Sequence, residues 1–132
     1  MKYLSDFNDK MINNVLKTNG AFFAFSNKQF EENKKEGVMY CKLYGGMIAP
    51  KENVKTILKG LEEAQKKGIK EDMKEHTIKQ IVFRDCANFE LQFSYDGLNE
   101  IKEALNDYPI NAKDIEKHYN DFIKHCIKND LY

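Results

Sequence analysis

The spacing of apolar residues predicts a chain built mainly of amphipathic helices. In residues 4–18, apolar side chains recur at three- and four-residue steps, which places them on one face of a helix that Gly20 ends. Similar spacing predicts four later helices. They cover residues 50–68 with weak continuation to about 74, residues 77–89, residues 98–105, and a last stretch that Asn111 caps.

Three short segments have strand character instead. Residues 21–25 form an unbroken apolar run, which predicts a strand buried on both faces. Residues 38–44 are rich in β-formers and partly alternate. Two consecutive glycines at 45–46 permit a tight turn, after which residues 47–49 can return as a further strand.

Capping patterns and glycines predict where several helices begin and end. Residues 26–29 and residues 77–80 both have capping-box form, with a hydroxyl residue followed three positions later by glutamine. The helix that begins at 26 is predicted to run to about Lys35 and to cover the apolar strand before it. Gly68 costs about 1 kcal/mol relative to alanine inside a helix, so a helix there is expected to end, kink or pass through it.

These elements predict an α+β fold, because strands and helices do not alternate regularly along the chain. The expected architecture is a mainly helical single domain over residues 1–132, with a small two- or three-stranded antiparallel sheet from residues 20–50. A length of 132 residues suits one domain, and 42% hydrophobic residues exclude wholesale disorder.

The formal charges sum to zero, but nearly all of the basic residues are lysine. Twenty lysines and one arginine, Arg84, balance 21 acidic side chains. This balance argues against a basic nucleic-acid coat and against an acidic DNA mimic, so no strong nucleic-acid binding is predicted. The lysine excess resembles the residue bias of an AT-rich bacterial or phage genome, which makes the single arginine conspicuous.

Cysteine count and hydropathy predict a cytoplasmic protein. The three cysteines, Cys41, Cys86 and Cys126, are an odd number without short spacing, as expected of free thiols in a reducing compartment. No run of about 18 apolar residues predicts a membrane span, and the first residues lack a hydrophobic signal region. No membrane partner is expected.

The first candidate binding site combines a glycine turn with a lysine face. A glycine turn that leads toward a helix start can present backbone N–H groups to an anion, with lysines along that helix. The pattern lacks the sequence of a phosphate-binding loop, and a hairpin turn followed by a solvated lysine face accounts for it equally. The residues concerned are Tyr44, Gly45, Gly46, Lys51, Lys55 and Lys59.

The second candidate site surrounds Arg84. Helical geometry places Asp85 on a largely apolar stripe, where an unpaired carboxylate would be costly, so it requires a partner. Arg84 and Asn88 lie on an adjacent polar stripe, and Glu90 follows them. Guanidinium geometry permits bidentate contacts that lysine cannot reproduce. Two interpretations stay open: a structural ion pair or helix cap, and a ligand site.

Other candidate chemistry is weaker. His118 and His125 are seven residues apart on one predicted helix, without a carboxylate or thiolate at matching spacing, so no metal site and no cofactor are predicted. Packing is the preferred role for most of the nine phenylalanines and seven tyrosines. The aromatic residues near predicted turns are the candidates for exposure: Tyr40, Tyr44, Phe93 and Tyr95.

Four segments of the chain resemble a family of small uncharacterised proteins encoded on phages, plasmids and conjugative elements of low-GC bacteria. These segments are residues 20–32, 45–54, 87–90 and 103–109. The resemblance implies a mobile-element context and brings no known reaction or cofactor. Where the family pattern has Ala-Asn-His-Glu, this chain has Phe89, which puts in doubt any histidine-dependent role at that position.

We therefore expect a non-catalytic cytosolic binding protein of a mobile element, with a host or element-encoded protein as partner. An inhibitor of a host defence system, of the anti-CRISPR or anti-restriction type, is one form of this hypothesis. Two alternatives stay open: a nucleotide or signalling-molecule binder that uses the lysine face of 51–59 with Arg84, and a small enzyme with Asp85 or Glu90 as base. Homo-oligomerisation is left open.

Overall fold

A computed structural model describes residues 1–132 and confirms the α+β fold, with six α-helices and a three-stranded antiparallel sheet. Short 3-10 turns lie at Tyr44–Gly46, Lys51–Asn53 and Leu91–Phe93. The helices and strands, in chain order, are α1 (Leu4–Thr18), β1 (Phe22–Phe23), α2 (Asn27–Asn33), β2 (Tyr40–Lys42), β3 (Met47–Pro50), α3 (Val54–Glu75), α4 (Ile78–Asn88), α5 (Gly97–Ala104) and α6 (Ala112–Lys128).

The chain divides into two compact units. The N-terminal unit is Leu4–Gly68, and the C-terminal unit combines Met1–Tyr3 with Ile69–Tyr132. Helix α3 is continuous, with residues 54–68 in the first unit and residues 69–75 in the second. The single domain expected over residues 1–132 stays a prediction.

In the N-terminal unit, β3 is the central strand and pairs antiparallel with β1 on one side and β2 on the other. One face of the sheet packs against α1 and α3, where Leu16, Ala49 and Ile57 are buried together. This core contains the apolar stripe predicted for residues 4–18, because Ile12 and Val15 pack against it.

The prediction of a strand over 21–25 buried on both faces is wrong. Strand β1 contains only Phe22 and Phe23 and lies at the sheet edge, and its two opposite faces are not both covered, because Phe22 is half-buried and Phe23 exposed. The ring of Phe22 packs against Phe30 of α2, at a centroid distance of 6.3 Å. Phe23 is 49% exposed and Phe25 75% exposed, because α2 does not extend over them.

Side-chain caps begin three helices where the sequence predicts them. Ser26 Oγ accepts a hydrogen bond from the Gln29 backbone N–H at 3.2 Å. Thr77 and Gln80 form a complete reciprocal capping box, and Asn111 Oδ1 accepts from Lys113 N–H at 2.8 Å. Each cap satisfies an amide that the first helical turn leaves without a partner.

The C-terminal unit is all helical apart from its turns. Helices α4, α5 and α6 pack together around an apolar interior, and the 3-10 turn at Leu91–Phe93 packs against α4 and α5. The fully buried side chains of the C-terminal unit include those of Ile81, Val82, Cys86, Ile101, Leu105 and Cys126.

Helix α3 passes through Gly68 without interruption, so the glycine has a packing role. A Cβ added there would lie 2.9 Å from Asn8 Cβ on α1, closer than real carbon atoms pack. Asn8 itself is buried and donates from Nδ2 to Gln65 Oε1 at 3.1 Å. The absent side chain therefore lets α1 and α3 approach each other.

Replacing Gly68 with alanine should destabilise the protein, although alanine favours helices. The helix propensity gain of about 1 kcal/mol is outweighed by overpacking against Asn8, which costs about 1–3 kcal/mol. Urea unfolding should give a lower midpoint. Thr56→Ala on the exposed face of α3 is the control and should raise the unfolding midpoint slightly. If Gly68→Ala also raises the midpoint, the packing role of Gly68 is contradicted.

A buried ionic cluster as candidate functional site

The most buried charges of the molecule are paired in the C-terminal unit. Asp72 on α3 has no exposed surface, and the Arg84 side chain on α4 is 2% exposed. Arg84 Nη1 donates to Asp72 Oδ1 at 2.8 Å, and Nη2 donates to Asp72 Oδ2 at 3.0 Å. This two-bond geometry is available to arginine and not to lysine.

The remaining donors of Arg84 are also satisfied. Its Nε donates to Asp85 Oδ1 at 2.7 Å, and Nη1 donates to the backbone carbonyl of Lys2 at 3.1 Å. The ring of Tyr3 lies 5.9 Å from the guanidinium carbon, within cation–π range. Four of the five N–H groups of Arg84 therefore have partners inside the unit.

Asp72 has two further partners. The hydroxyl of Tyr108 donates to Asp72 Oδ2 at 2.6 Å, and His76 Nδ1 lies 2.8 Å from Asp72 Oδ1. We name this ionic cluster by its residues: Asp72, His76, Arg84, Asp85 and Tyr108.

The contacts within the cluster shift the pKa values of Asp72 and Arg84 in directions that keep this pair charged. Burial alone would raise the pKa of Asp72, but the hydrogen bonds from Arg84, Tyr108 and His76 outweigh it and lower the pKa. Burial opposes the charge of Arg84 too, yet its bonds to Asp72 and Asp85 raise the pKa further. Burial and the hydrogen bond to Asp72 raise the pKa of the Tyr108 hydroxyl, which stays protonated as a donor.

These contacts are those of a structural ion pair. Asp85, for which the sequence requires a partner, finds it in the adjacent Arg84, while the main partner of Arg84 is Asp72. Because the donors and acceptors of the pair face one another, the cluster lacks a free catalytic group at its centre. The participation of Arg84 in ligand binding stays a prediction.

Arg84→Lys should strongly destabilise the C-terminal unit. A lysine keeps the charge but cannot reproduce the fork that contacts Asp72 and Asp85 together, and a disrupted buried pair costs about 3–5 kcal/mol. Thermal and urea unfolding measure the loss. Lys124→Arg, an exposed change in the reverse direction, should be neutral within about 0.5 kcal/mol. Unchanged stability of Arg84→Lys would contradict the structural role.

Acid should remove the contribution of Asp72. Its pKa is lower in the folded than in the unfolded state, so its stabilisation is fully present above about pH 4 and is lost as pH falls through the folded pKa. The unfolding free energy of Asp72→Asn should therefore lie below that of the wild type at about pH 7, and the gap should narrow toward about pH 3. A gap that is constant with pH would show that the charge of Asp72 is not the cause.

The glycine turn and the lysine face do not form one cluster. Tyr44, Gly45 and Gly46 form the 3-10 turn between β2 and β3, and Lys51 follows at the opposite end of β3. A strand rises about 3.3 Å per residue, which separates the turn from Lys51. A Cβ on Gly46 would collide with the ring of Phe25.

The three lysines do not share one surface depression: Lys51 and Lys59 border different ones. Lys51 borders a depression with Val38 and Met39, whereas Lys59 borders another with Val15 and Asn19. Lys55 is exposed on α3. The lysine face is thus a solvent-exposed helix surface. Anion binding by these lysines stays a prediction.

Asn88 and Glu90 are exposed at the end of α4. Glu90 has a left-handed backbone conformation, with φ at 52°, where glycine is the usual residue. Its side chain borders a shallow groove together with Phe83, His125 and Leu131. Arg84 reaches the same groove only with its small exposed fraction.

The cysteines and histidines do not form a metal site. No group of three or more His, Cys, Asp or Glu side chains is placed to hold a metal ion. Burial raises the pKa of the Cys86 thiol to about 12, and also raises that of Cys126, so both thiols are protonated near neutral pH. Likewise, no helix is both long and apolar enough to cross a bilayer.

Sequence reasoning identified Arg84 and Asp85 but missed three members of the ionic cluster: Asp72, His76 and Tyr108. One local signal was present, since Asp72 and His76 are four residues apart and face the same side of α3. Tyr108 lies three residues beyond the helix predicted over residues 98–105. Nothing in the local sequence indicates that it reaches α3.

Comparison with known proteins identifies a family but no function. The chain matches the family of unknown function DUF7659 over residues 4–125, and it belongs to this family. No curated protein and no solved structure matches the chain. Membership therefore brings no established activity with it.

Proposed function

We propose that the protein is a non-catalytic protein-binding component of a mobile genetic element, and that it inhibits a host defence system of the CRISPR or restriction type. The observation that supports binding is the exposure of aromatic side chains. Eight of the sixteen phenylalanines and tyrosines are exposed: Tyr3, Phe23, Phe25, Tyr44, Phe89, Phe93, Tyr95 and Tyr132.

This exposure is more than packing requires. Single exposed apolar residues are normal on protein surfaces, whereas grouped ones indicate interaction sites, and aromatic residues are enriched there. Each unit contributes a group of its own. Phe23, Phe25 and Tyr44 belong to the N-terminal unit, and Phe89, Phe93, Tyr95 and Tyr132 belong to the C-terminal unit.

The internal chemistry supports a non-catalytic role. The strongly perturbed groups face one another in the ionic cluster, as structural pairs do, and the buried thiols are protonated. Mobile-element residence is supported by the resemblance of four sequence segments. Together these points favour action by contact rather than by reaction.

Expression of the protein should raise phage plating on a strain whose defence it inhibits. In strains that each carry a single CRISPR or restriction system, we expect a gain in plating of at least about tenfold on one of them. The paired variants Phe93→Ser/Tyr95→Ser and Phe25→Ser/Tyr44→Ser report which unit is responsible, and one of the two should abolish the gain.

Leu58→Ser is the matched control, because Leu58 is an isolated exposed apolar residue on α3. It should keep full protection, and circular dichroism should show all variants folded. Protection on no strain would refute the anti-defence role. Protection retained by both paired variants would refute binding through the aromatic groups.

A further inference from the structure

The exposed aromatic residues of the C-terminal unit lie on two segments that contact each other, residues 89–95 after α4 and residues 131–132 after α6. The rings of Phe93 and Tyr132 meet edge to face at a centroid distance of 6.0 Å. Gln92 Nε2 donates to the carbonyl of Leu131 at 3.3 Å, which holds the segment after α6 against the turn after α4. Tyr95, two residues from Phe93, is fully exposed. We call Phe89, Phe93, Tyr95, Leu131 and Tyr132 the aromatic patch.

Three carboxylates lie next to residues of the aromatic patch, and none of them forms an ion pair. Glu90 and Leu131 line one groove, which His125 and the small exposed part of Arg84 also border. Asp96 directly follows Tyr95 in the chain, and Glu100 lies in the first turn of α5; both residues are exposed. Glu90, Asp96 and Glu100 form no ion pair, in contrast to Glu62 and Glu71 on α3, which contact lysines.

The sequence around the patch differs from the rest of the chain in its charges. Residues 85–101 contain four acidic side chains and no lysine, arginine or histidine. Elsewhere basic residues recur along a chain that holds twenty lysines, and no other stretch without one is as long. The lysine exterior is therefore interrupted where the aromatic rings are exposed. The basic residues beside the segment 129–132 are His125 and Lys128, in the last turn of α6, and His125 Nδ1 lies 3.2 Å from Asn129 Nδ2.

We infer that the aromatic patch docks a basic, arginine-bearing segment of a protein partner, an inference that rests on the proposed protein-binding function. Charge complementarity selects the occupant, because the carboxylates at the rim form no ion pair, although Asp96 accepts hydrogen bonds from Asn99 Nδ2. Such carboxylates attract guanidinium groups, and the exposed rings accept them by cation–π contact. Arginine combines a cation with a planar apolar surface and so fits both features.

The same charges disfavour other occupants. Nucleic acid and anionic lipid surfaces carry phosphates, which Glu90, Asp96 and Glu100 would repel. A purely apolar partner would bury these carboxylates without compensation, which is costly. A basic protein segment is the occupant that satisfies both the rings and the rim.

The test is a titration of the ¹⁵N-labelled full chain with synthetic peptides that alternate arginine and leucine. Chemical-shift changes should be confined to residues 89–96 and 129–132, and the apparent affinity should fall as salt rises. The same peptide with glutamate in place of arginine should not bind. Changes centred on other residues would overturn the assignment, as would equal binding of the glutamate peptide.

A matched pair of charge reversals separates local from overall electrostatics. Glu90→Lys/Asp96→Lys should weaken arginine-peptide binding at least about tenfold. Glu103→Lys/Glu116→Lys makes the same change in net charge at exposed positions of the same unit and should have little effect. If both pairs of substitutions weaken peptide binding equally, the overall net charge and not the local carboxylates controls binding, and the proposal is overturned.

Two further outcomes decide between occupants and between proposals. Sedimentation of the free chain should show a monomer; a dimer that Glu90→Lys/Asp96→Lys dissociates would make a second copy the occupant instead. If protection against phage depends on Phe93 and Tyr95 while the arginine peptide does not bind, the basic chemistry fails and the protein-binding function stands. If the peptide binds at the patch but no strain is protected, the anti-defence function fails and the assignment of a basic occupant stands.

Discussion

A carboxylate with no exposed surface is stable in a protein only when its charge is fully compensated, and Asp72 is such a carboxylate. The C-terminal unit meets this requirement by bringing Arg84 from α4, Tyr108 from the segment between α5 and α6, and His76 from the end of α3. Arg84 in turn draws in the Lys2 carbonyl. One buried charge thus fixes four segments relative to one another. A purely apolar contact would tolerate sliding, whereas paired hydrogen bonds have one geometry.

The same requirement explains the single arginine. In a chain with twenty lysines, position 84 needs several directed donors in one plane, because it contacts the two oxygens of Asp72, one of Asp85 and a backbone carbonyl. An ammonium group has three donors around one atom and cannot span these acceptors. A compositional bias toward lysine is therefore overridden at the position where guanidinium geometry is required.

Sequence patterns predicted the features that depend on residues close together in the chain. The apolar stripe of α1, the side-chain caps at Ser26 and Thr77 and the last helix depend on neighbours within a few residues, and the structure has them where the sequence places them. Only the cap at Thr77 is a complete capping box, because the Gln29 side chain accepts from Phe25 N–H instead of Ser26 N–H. The edge position of β1 was missed, since an apolar run does not reveal which strand becomes central.

Contacts between distant segments were missed for the same reason. The bond from Tyr108 to Asp72 spans 36 residues, and no periodicity encodes it. Exposure of the aromatic residues was also underestimated, because composition alone favours packing. Only position next to a turn separated Tyr44, Phe93 and Tyr95 from the buried rings, and the same criterion included Tyr40, which packs against Phe22 and Phe30.

The division of the chain also sets an order for its synthesis. The N-terminal unit is continuous, so all of its residues have been made once Gly68 leaves the ribosome. The C-terminal unit begins with Met1–Tyr3 and resumes only at Ile69, so its first segment waits for partners made much later. Lys2 meets Arg84 across 82 positions, and Asp72 cannot be fully satisfied until Tyr108 has emerged. Vectorial synthesis therefore allows one unit to fold early, while the other stays incomplete until most of the chain exists.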